Sequence, residues 1–161
     1  MAVDLNIKSN SKQVSKKFKK FQSVLPRIID KGVKQAGFQL VAIIREKTKK
    51  GKDFNDNRFA PYSEGYLKRL GKEKRSTKVD LHYDGGMIGA LTPSMVKKTG
   101  KHKVSLGFAR AEERDKAFFN QVMMGNKNRK FFGFNKRTEN IISKQFNRFV
   151  SKELRKMKIW V

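Results

Sequence analysis

The sequence has no cysteine among its 161 residues. This absence excludes a disulfide framework, a thiolate nucleophile and a cysteine-bound metal. Long apolar runs are also missing: the longest, residues 40–44, is far shorter than the roughly 20 residues that a membrane-spanning helix needs. Residues 1–5 lack the charged-then-apolar order of a signal peptide. We therefore expect a protein that is made and kept in the cytoplasm and has no membrane partner.

Acidic residues are scarce beside basic ones. The chain holds 14 Asp and Glu against 39 Lys and Arg, a formal net charge of +25. The excess is spread evenly, because residues 1–50, 51–110 and 111–161 each contain 13 Lys and Arg. The basic side chains of such a chain repel one another, and a nearby polyanion or acidic protein surface would offset this repulsion. Nucleic acid is one such partner, and an acidic protein ring is another.

Signatures of nucleophilic, metal or phosphate chemistry are missing too. The two histidines, His82 and His102, do not share the spacing of a metal or triad site. The Asp-Gly-Gly sequence at residues 84–86 lacks the spacing and the lysine of a phosphate-binding loop.

Two pairs of carboxylates could hold metal ions in a nuclease, namely Asp53 with Asp56 and Asp80 with Asp84. Asp53 and Asp56 lie among asparagines and are better interpreted as turn formers. Asp84 is better interpreted as a helix cap. We therefore expect no enzyme, no catalytic residue, no metal and no cofactor.

The first third of the chain is predicted to be an extended arm at residues 1–9 and a helical part at residues 10–50. Ser11 is a candidate cap, and Pro26 favours a new helix that starts there and ends before Gly51. The first helix has an apolar stripe at helical spacing, opposite a row of lysines: Val14, Phe18, Phe21 and Leu25.

Residues 51–161 predict shorter elements. In order, these are a loop at 52–62, a helix at 63–71, a strand at 79–82, a helix at 85–91, a hairpin at 95–108, a helix at 111–124, a loop at 126–134 and a last helix. Asn135 or Thr138 caps the last helix, whose stripe begins at Ile142. In the helix at 111–124, four residues are predicted to face inward: Ala117, Phe118, Gln121 and Val122.

These elements predict a single α+β domain over residues 1–161. Long N-terminal helices and a C-terminal helix would pack on a small, mostly antiparallel sheet.

Two irregular loops, residues 51–63 and 126–134, carry arginines and aromatics and are the predicted contact surfaces. The candidate interface residues are Arg58, Phe59, Tyr62, Arg129, Lys130, Phe131 and Phe132. The mixture of bases and aromatics at 129–132 suits phosphate binding and base stacking. The alternative is that the two phenylalanines fill the core or a subunit contact while the two basic residues face water.

Four short sequence motifs occur in order between Gly51 and the end of the chain. They resemble motifs of the virion-morphogenesis or tail-completion family of tailed phages, which includes Mu-like and lambdoid neck proteins. They are Phe59-Ala60-Pro61-Tyr62-Ser63, Leu81-x-x-Asp84-Gly85-x-Met87 with Ala90-Leu91, Phe118-Phe119-x-Gln121-x-x-x-Gly125, and Arg129-x-Phe131-Phe132-Gly133-Phe134. Asp84 stands where that family usually has Thr or Ser, and all three residues are good helix caps.

The resemblance implies a structural protein of the head–tail junction, acting as a neck, tail-completion or tail-terminator protein. Six or twelve copies would form a ring between the portal or connector and the tail tube or sheath. The ring would also lie near packaged DNA, in the virion and, during assembly, in the host cytoplasm. The alternative function is that of a basic nucleic-acid-binding protein.

Overall fold

The computed structural model describes residues 10–82, 85–123 and 125–157. The predicted arm at residues 1–9 and the predicted cap Asp84 lie outside this part. The described elements are α1 Ser11–Lys49, α2 Glu64–Lys72, α3 Gly86–Gly89, β1 Val96–Gly100, β2 Lys103–Leu106, α4 Ala111–Phe118 and α5 Lys136–Lys156. This arrangement confirms the α+β class, with a long N-terminal helix, a C-terminal helix and a two-stranded antiparallel sheet.

Helix α1 is continuous through Pro26, so the prediction of two N-terminal helices is wrong. Proline has no N–H to donate to the carbonyl of Gln22, but Gln22 is exposed and water can solvate that carbonyl. The apolar stripe also keeps its phase across the proline, because Leu25 is followed by the buried residues Ile28 and Gly32. Ser11 is the first helical residue, and Asn10 precedes the helix in the position predicted for Ser11.

Helix α5 packs antiparallel against the second half of α1. Lys47 near the end of α1 meets Thr138 at the start of α5, while Gly32 lies against Phe146 further along. A Cβ added at Gly32 would lie 2.7 Å from Cε2 of Phe146, so the glycine permits the close approach. Asn135 caps α5 as predicted, because its side chain accepts a hydrogen bond from the N–H of Thr138.

The β-hairpin packs on α1 at Gly37. A Cβ there would lie 2.7 Å from Cγ1 of Val96. The hairpin turn is held by Asp30 of α1, which pairs with Lys98 and accepts the backbone N–H of His102. The hydrogen bond from Lys98, followed by that from His102, lowers the pKa of Asp30 from 3.8 to about 2.

The core lies between the second half of α1 and the segments that follow it. Its buried apolar residues are Val41, Ile44, Phe59, Met87, Ile88, Leu91, Met95, Val96, Ala117 and Phe131. The first half of α1 contributes nothing to this cluster: residues 11–20 are all exposed within the described part of the chain. About a quarter of the helix therefore projects from the body.

Two further predictions are wrong. Residues 79–82 form no strand, because Leu81 has φ of 59° and the Asp80 side chain accepts the N–H of His82 in a local turn. Helix α4 ends at Phe118 and continues as a π turn over Phe119–Met123. Phe118, the last residue of α4, is about half exposed instead of facing inward. The wider turn changes the helical phase after it, and Val122 is also about half exposed.

We expect Gly37→Ala to destabilise the protein by about 1–2 kcal/mol. The new methyl would collide with a stiff β-branched side chain, which outweighs the gain in helix propensity of about 1 kcal/mol. Gly71→Ala in α2 is the matched control, since nothing lies within 4 Å of its added Cβ. Urea unfolding measures both variants, and equal stability for Gly37→Ala and the wild type would contradict this packing.

Candidate protein interface

The two loops predicted as contact surfaces pack against each other. The N–H of Phe54 donates to the carbonyl of Lys130 at 3.0 Å. The ring of Phe54 lies against Gly133, where an added Cβ would be 3.0 Å from Cγ of Phe54. The loops therefore form one surface, in which the backbone of each fixes the other.

The first loop has its own local order. Lys52 and Arg58 form an isolated antiparallel bridge, and Gly51 accepts the N–H of Phe59 at 2.9 Å. Asp53 accepts the N–H groups of Asn55 and Asn57 at 2.8 Å each, which confirms its predicted role as a turn former.

Lys47 joins this loop to both long helices. Its ammonium donates to the carbonyl of Phe54 at 3.0 Å, to Asp56 at 3.1 Å and to the hydroxyl of Thr138 at 3.3 Å. Asn135 donates a further bond to Asp56. The hydrogen bond from Lys47 lowers the pKa of the Asp56 carboxyl below its ordinary value. One amine therefore fixes the end of α1, the first loop and the start of α5.

Arg129 joins the two loops on the other side. Its guanidinium lies over the ring of Tyr62, 4.9 Å from the centroid, and Nη2 donates to the carbonyl of Ala60 at 3.4 Å. Its backbone N–H donates to Asn120 at 2.7 Å. The side chain is buried, and desolvation lowers the pKa of Arg129 while burial raises that of Tyr62. Arginine nevertheless stays charged, so the loops share a buried cation.

A cleft of about 470 Å³ opens beside this contact. Tyr62 and Tyr66 form one wall as an edge-to-face pair with ring centroids 4.8 Å apart. Phe119 of the π turn also lines the cleft, together with Lys116 and Lys127. Aromatic walls with basic residues at the rim suit an acidic or aromatic segment of a partner protein.

The seven predicted interface residues divide into two groups. Phe59, Phe131 and Arg129 are buried, so the expectation that the loops expose these side chains is corrected. Phe59 and Phe131 belong to the core. For Phe131 this agrees with the alternative interpretation, in which the phenylalanines of the second loop fill the core. The others remain at the surface at least in part: Arg58 and Lys130 are exposed, and Tyr62 and Phe132 are half-buried. Their role in binding stays a prediction.

Sequence reasoning missed a second apolar surface, the α4 patch, defined as Phe118, Phe119, Val122 and Met123. Each of these side chains is at least half exposed. The π turn, which carries all of them except Phe118, is held by Gln121, whose amide donates to the carbonyl of Phe132 and accepts its N–H. The adjacent pair of phenylalanines was the available signal, because two consecutive residues of a helix rarely both face the core.

No cluster of three or more potential metal ligands occurs in residues 10–82, 85–123 and 125–157. Within those same residues, no helix is both long and apolar enough to cross a membrane. Comparison with known proteins finds no match, either to a family model, to a curated protein or to a solved structure.

We expect Arg129→Lys to destabilise the protein by about 1–3 kcal/mol. A lysine keeps the charge but loses the planar guanidinium over Tyr62 and the fork that reaches Ala60. The reciprocal change at the exposed neighbour, Lys130→Arg, is the control and should leave stability unchanged. Thermal unfolding separates the two variants, and equal effects would mean that the buried guanidinium does not hold the loops together.

Proposed function

We propose that this chain is a non-enzymatic subunit of the head–tail junction of a tailed phage. Six or twelve copies would assemble into a ring that joins the portal or connector to the tail tube or sheath. The observation that carries the proposal is that the first part of α1 projects from the body. Val14 and Phe18 are each about half exposed there, and the ring of Phe18 lies beside that of Phe21. The four motifs after Gly51, which occur in the same order as in the tail-completion family, support the proposal.

A projecting amphipathic helix favours assembly for a physical reason. Isolated helical segments of this length are marginally stable in water, and most helical stability comes from packing of the apolar face. An apolar face left exposed in one copy is therefore stabilised when a neighbour covers it. Identical subunits that meet repeatedly by the same rotation form a ring when the rotation closes, and a ring suits a joint around a tube.

Docking of the ring to its neighbours would use the joined loops. The exposed residues Arg58 and Lys130 can attract acidic faces of adjacent rings, and such attraction mainly sets encounter rate and register. The cleft beside Tyr62 can then receive aromatic or aliphatic side chains, which supply affinity.

We expect the purified protein to form closed rings of one size. Native mass spectrometry gives the number of copies, and negative-stain electron microscopy shows the closure. Phage particles made without the protein should yield separate heads and tails. A protein that stays monomeric at its highest soluble concentration, together with normal tailed particles in its absence, would contradict the proposal.

One observation favours a second candidate function, binding of nucleic acid. Lys144, Arg148 and Lys152 lie four residues apart on α5 and are all exposed, so they form a row along the helix. Three phosphate contacts would give a slope of about −3 for the logarithm of duplex affinity against the logarithm of salt concentration. Tight duplex binding with this slope, and no ring, would favour the second function over the first.

A further inference from the structure

We propose that neighbouring copies of the chain meet head to tail, with the α1 tip of one copy seated on the α4 patch of the next. The α1 tip is defined as residues 11–25. This inference rests on the proposed function, because it identifies the contact from which the ring would be built. The same contact, repeated around an axis, uses two different surfaces of each subunit.

Both surfaces are apolar and exposed to a similar degree. On the tip, Val14 is 53% and Phe18 50% exposed, and the ring of Phe21 lies beside that of Phe18. On the patch, Phe118 is 56% and Met123 60% exposed. Large aromatic and aliphatic side chains clustered at the surface mark interaction sites, because covering them removes apolar area from water.

The charges around the two surfaces differ. Residues 11–20 hold five lysines and no acidic residue, a net charge of +5. Residues 111–123 hold three acidic and two basic residues, but Glu113 is buried, so the exposed charges there cancel. Two tips packed together would bring like charges of +5 into contact, whereas a tip on the α4 patch meets a surface without net charge. Electrostatics therefore favours the head-to-tail pairing over the symmetric one.

Two carboxylates on α4 are available to Lys17 of a neighbouring tip, which lies beside the apolar stripe because it is three residues after Val14 and four before Phe21. Glu112 and Asp115 are each 74% exposed, and they lie one to two turns from Phe119. Glu112 pairs with Lys116 at 2.8 Å, and Asp115 lies 3.7 Å from Arg114. Exposed ion pairs of this kind contribute at most about 1 kcal/mol, so the carboxylates can exchange partners when a basic helix approaches.

A tip cannot reach the patch of its own chain. Ala117, which precedes the patch, shares the core with Val41 of α1. From Val14 to Val41 an α-helix rises about 40 Å at roughly 1.5 Å per residue. Since α1 is one continuous helix over this distance, the tip and the patch lie far apart in one copy. A second copy must therefore supply the partner, and a contact between unlike surfaces generates a closed ring or an open filament.

The absence of native cysteine makes this contact directly testable. The double variant Phe18→Cys with Val122→Cys, treated with a short thiol-specific cross-linker, should give a ladder of covalent multimers that ends at the ring size. Each single variant should give no product larger than a dimer. An equal mixture of the two single variants should give dimers that contain one copy of each.

The matched control is Lys16→Cys with Val122→Cys. Lys16 lies on the same part of the tip as Phe18 but on the opposite face of the helix, so this variant should give no ladder. If loss of Phe18 weakens assembly, Ser15→Cys replaces it, because Ser15 borders the stripe and leaves every apolar residue in place.

Rings without a ladder from either the Phe18 or the Ser15 variant would overturn the head-to-tail contact and leave the proposed function intact. A ladder of equal yield from the Lys16 control would also overturn it, because cross-linking would then not depend on the apolar face. A wild-type protein that forms no ring under the same conditions would overturn both proposals.

Discussion

The close packing on the second half of α1 is the interaction on which the rest of the structure depends. Two glycines, Gly32 and Gly37, let the ring of Phe146 and the side chain of Val96 approach the backbone of this helix. Helix α5 and the β-hairpin are thereby placed against α1, and Lys47 then ties the end of α1 to the first loop and to the start of α5. The joined loops and their cleft are built on that frame.

Particular residues explain how much of this could be predicted from the sequence. The alternation of Val104 and Leu106 with polar residues predicted the second strand of the hairpin, and the polar side chain of Asn135 predicted the start of α5. Both predictions succeeded because they depend on local sequence. Pro26 misled the prediction, since a proline normally starts or ends a helix and only the continued stripe through Ile28 and Gly32 indicates otherwise. The burial of Arg129 could not be predicted, because it depends on a contact with Tyr62, which is 67 positions away along the chain.

The same helix serves two purposes in this account. Its second half organises the fold, while its first half carries an apolar stripe that the described part of the chain leaves exposed. A high positive charge normally keeps copies apart, so an assembling protein of this kind needs a surface where the repulsion is weak. The α4 patch meets that requirement, because the exposed charges of residues 111–123 cancel in a chain of +25. The π turn matters because it carries Phe119, Val122 and Met123, which are all at least half exposed.

Amide hydrogen exchange in residues 11–25, measured across a range of protein concentrations, tests the central claim most directly. The account predicts fast exchange in the dilute protein, because a projecting helical end opens easily. It predicts strong protection at concentrations at which rings form, with protection appearing in parallel at residues 118–123 of the α4 patch. Exchange in the α1 tip that stays fast while rings form, or that is already slow in the monomer, would contradict the account.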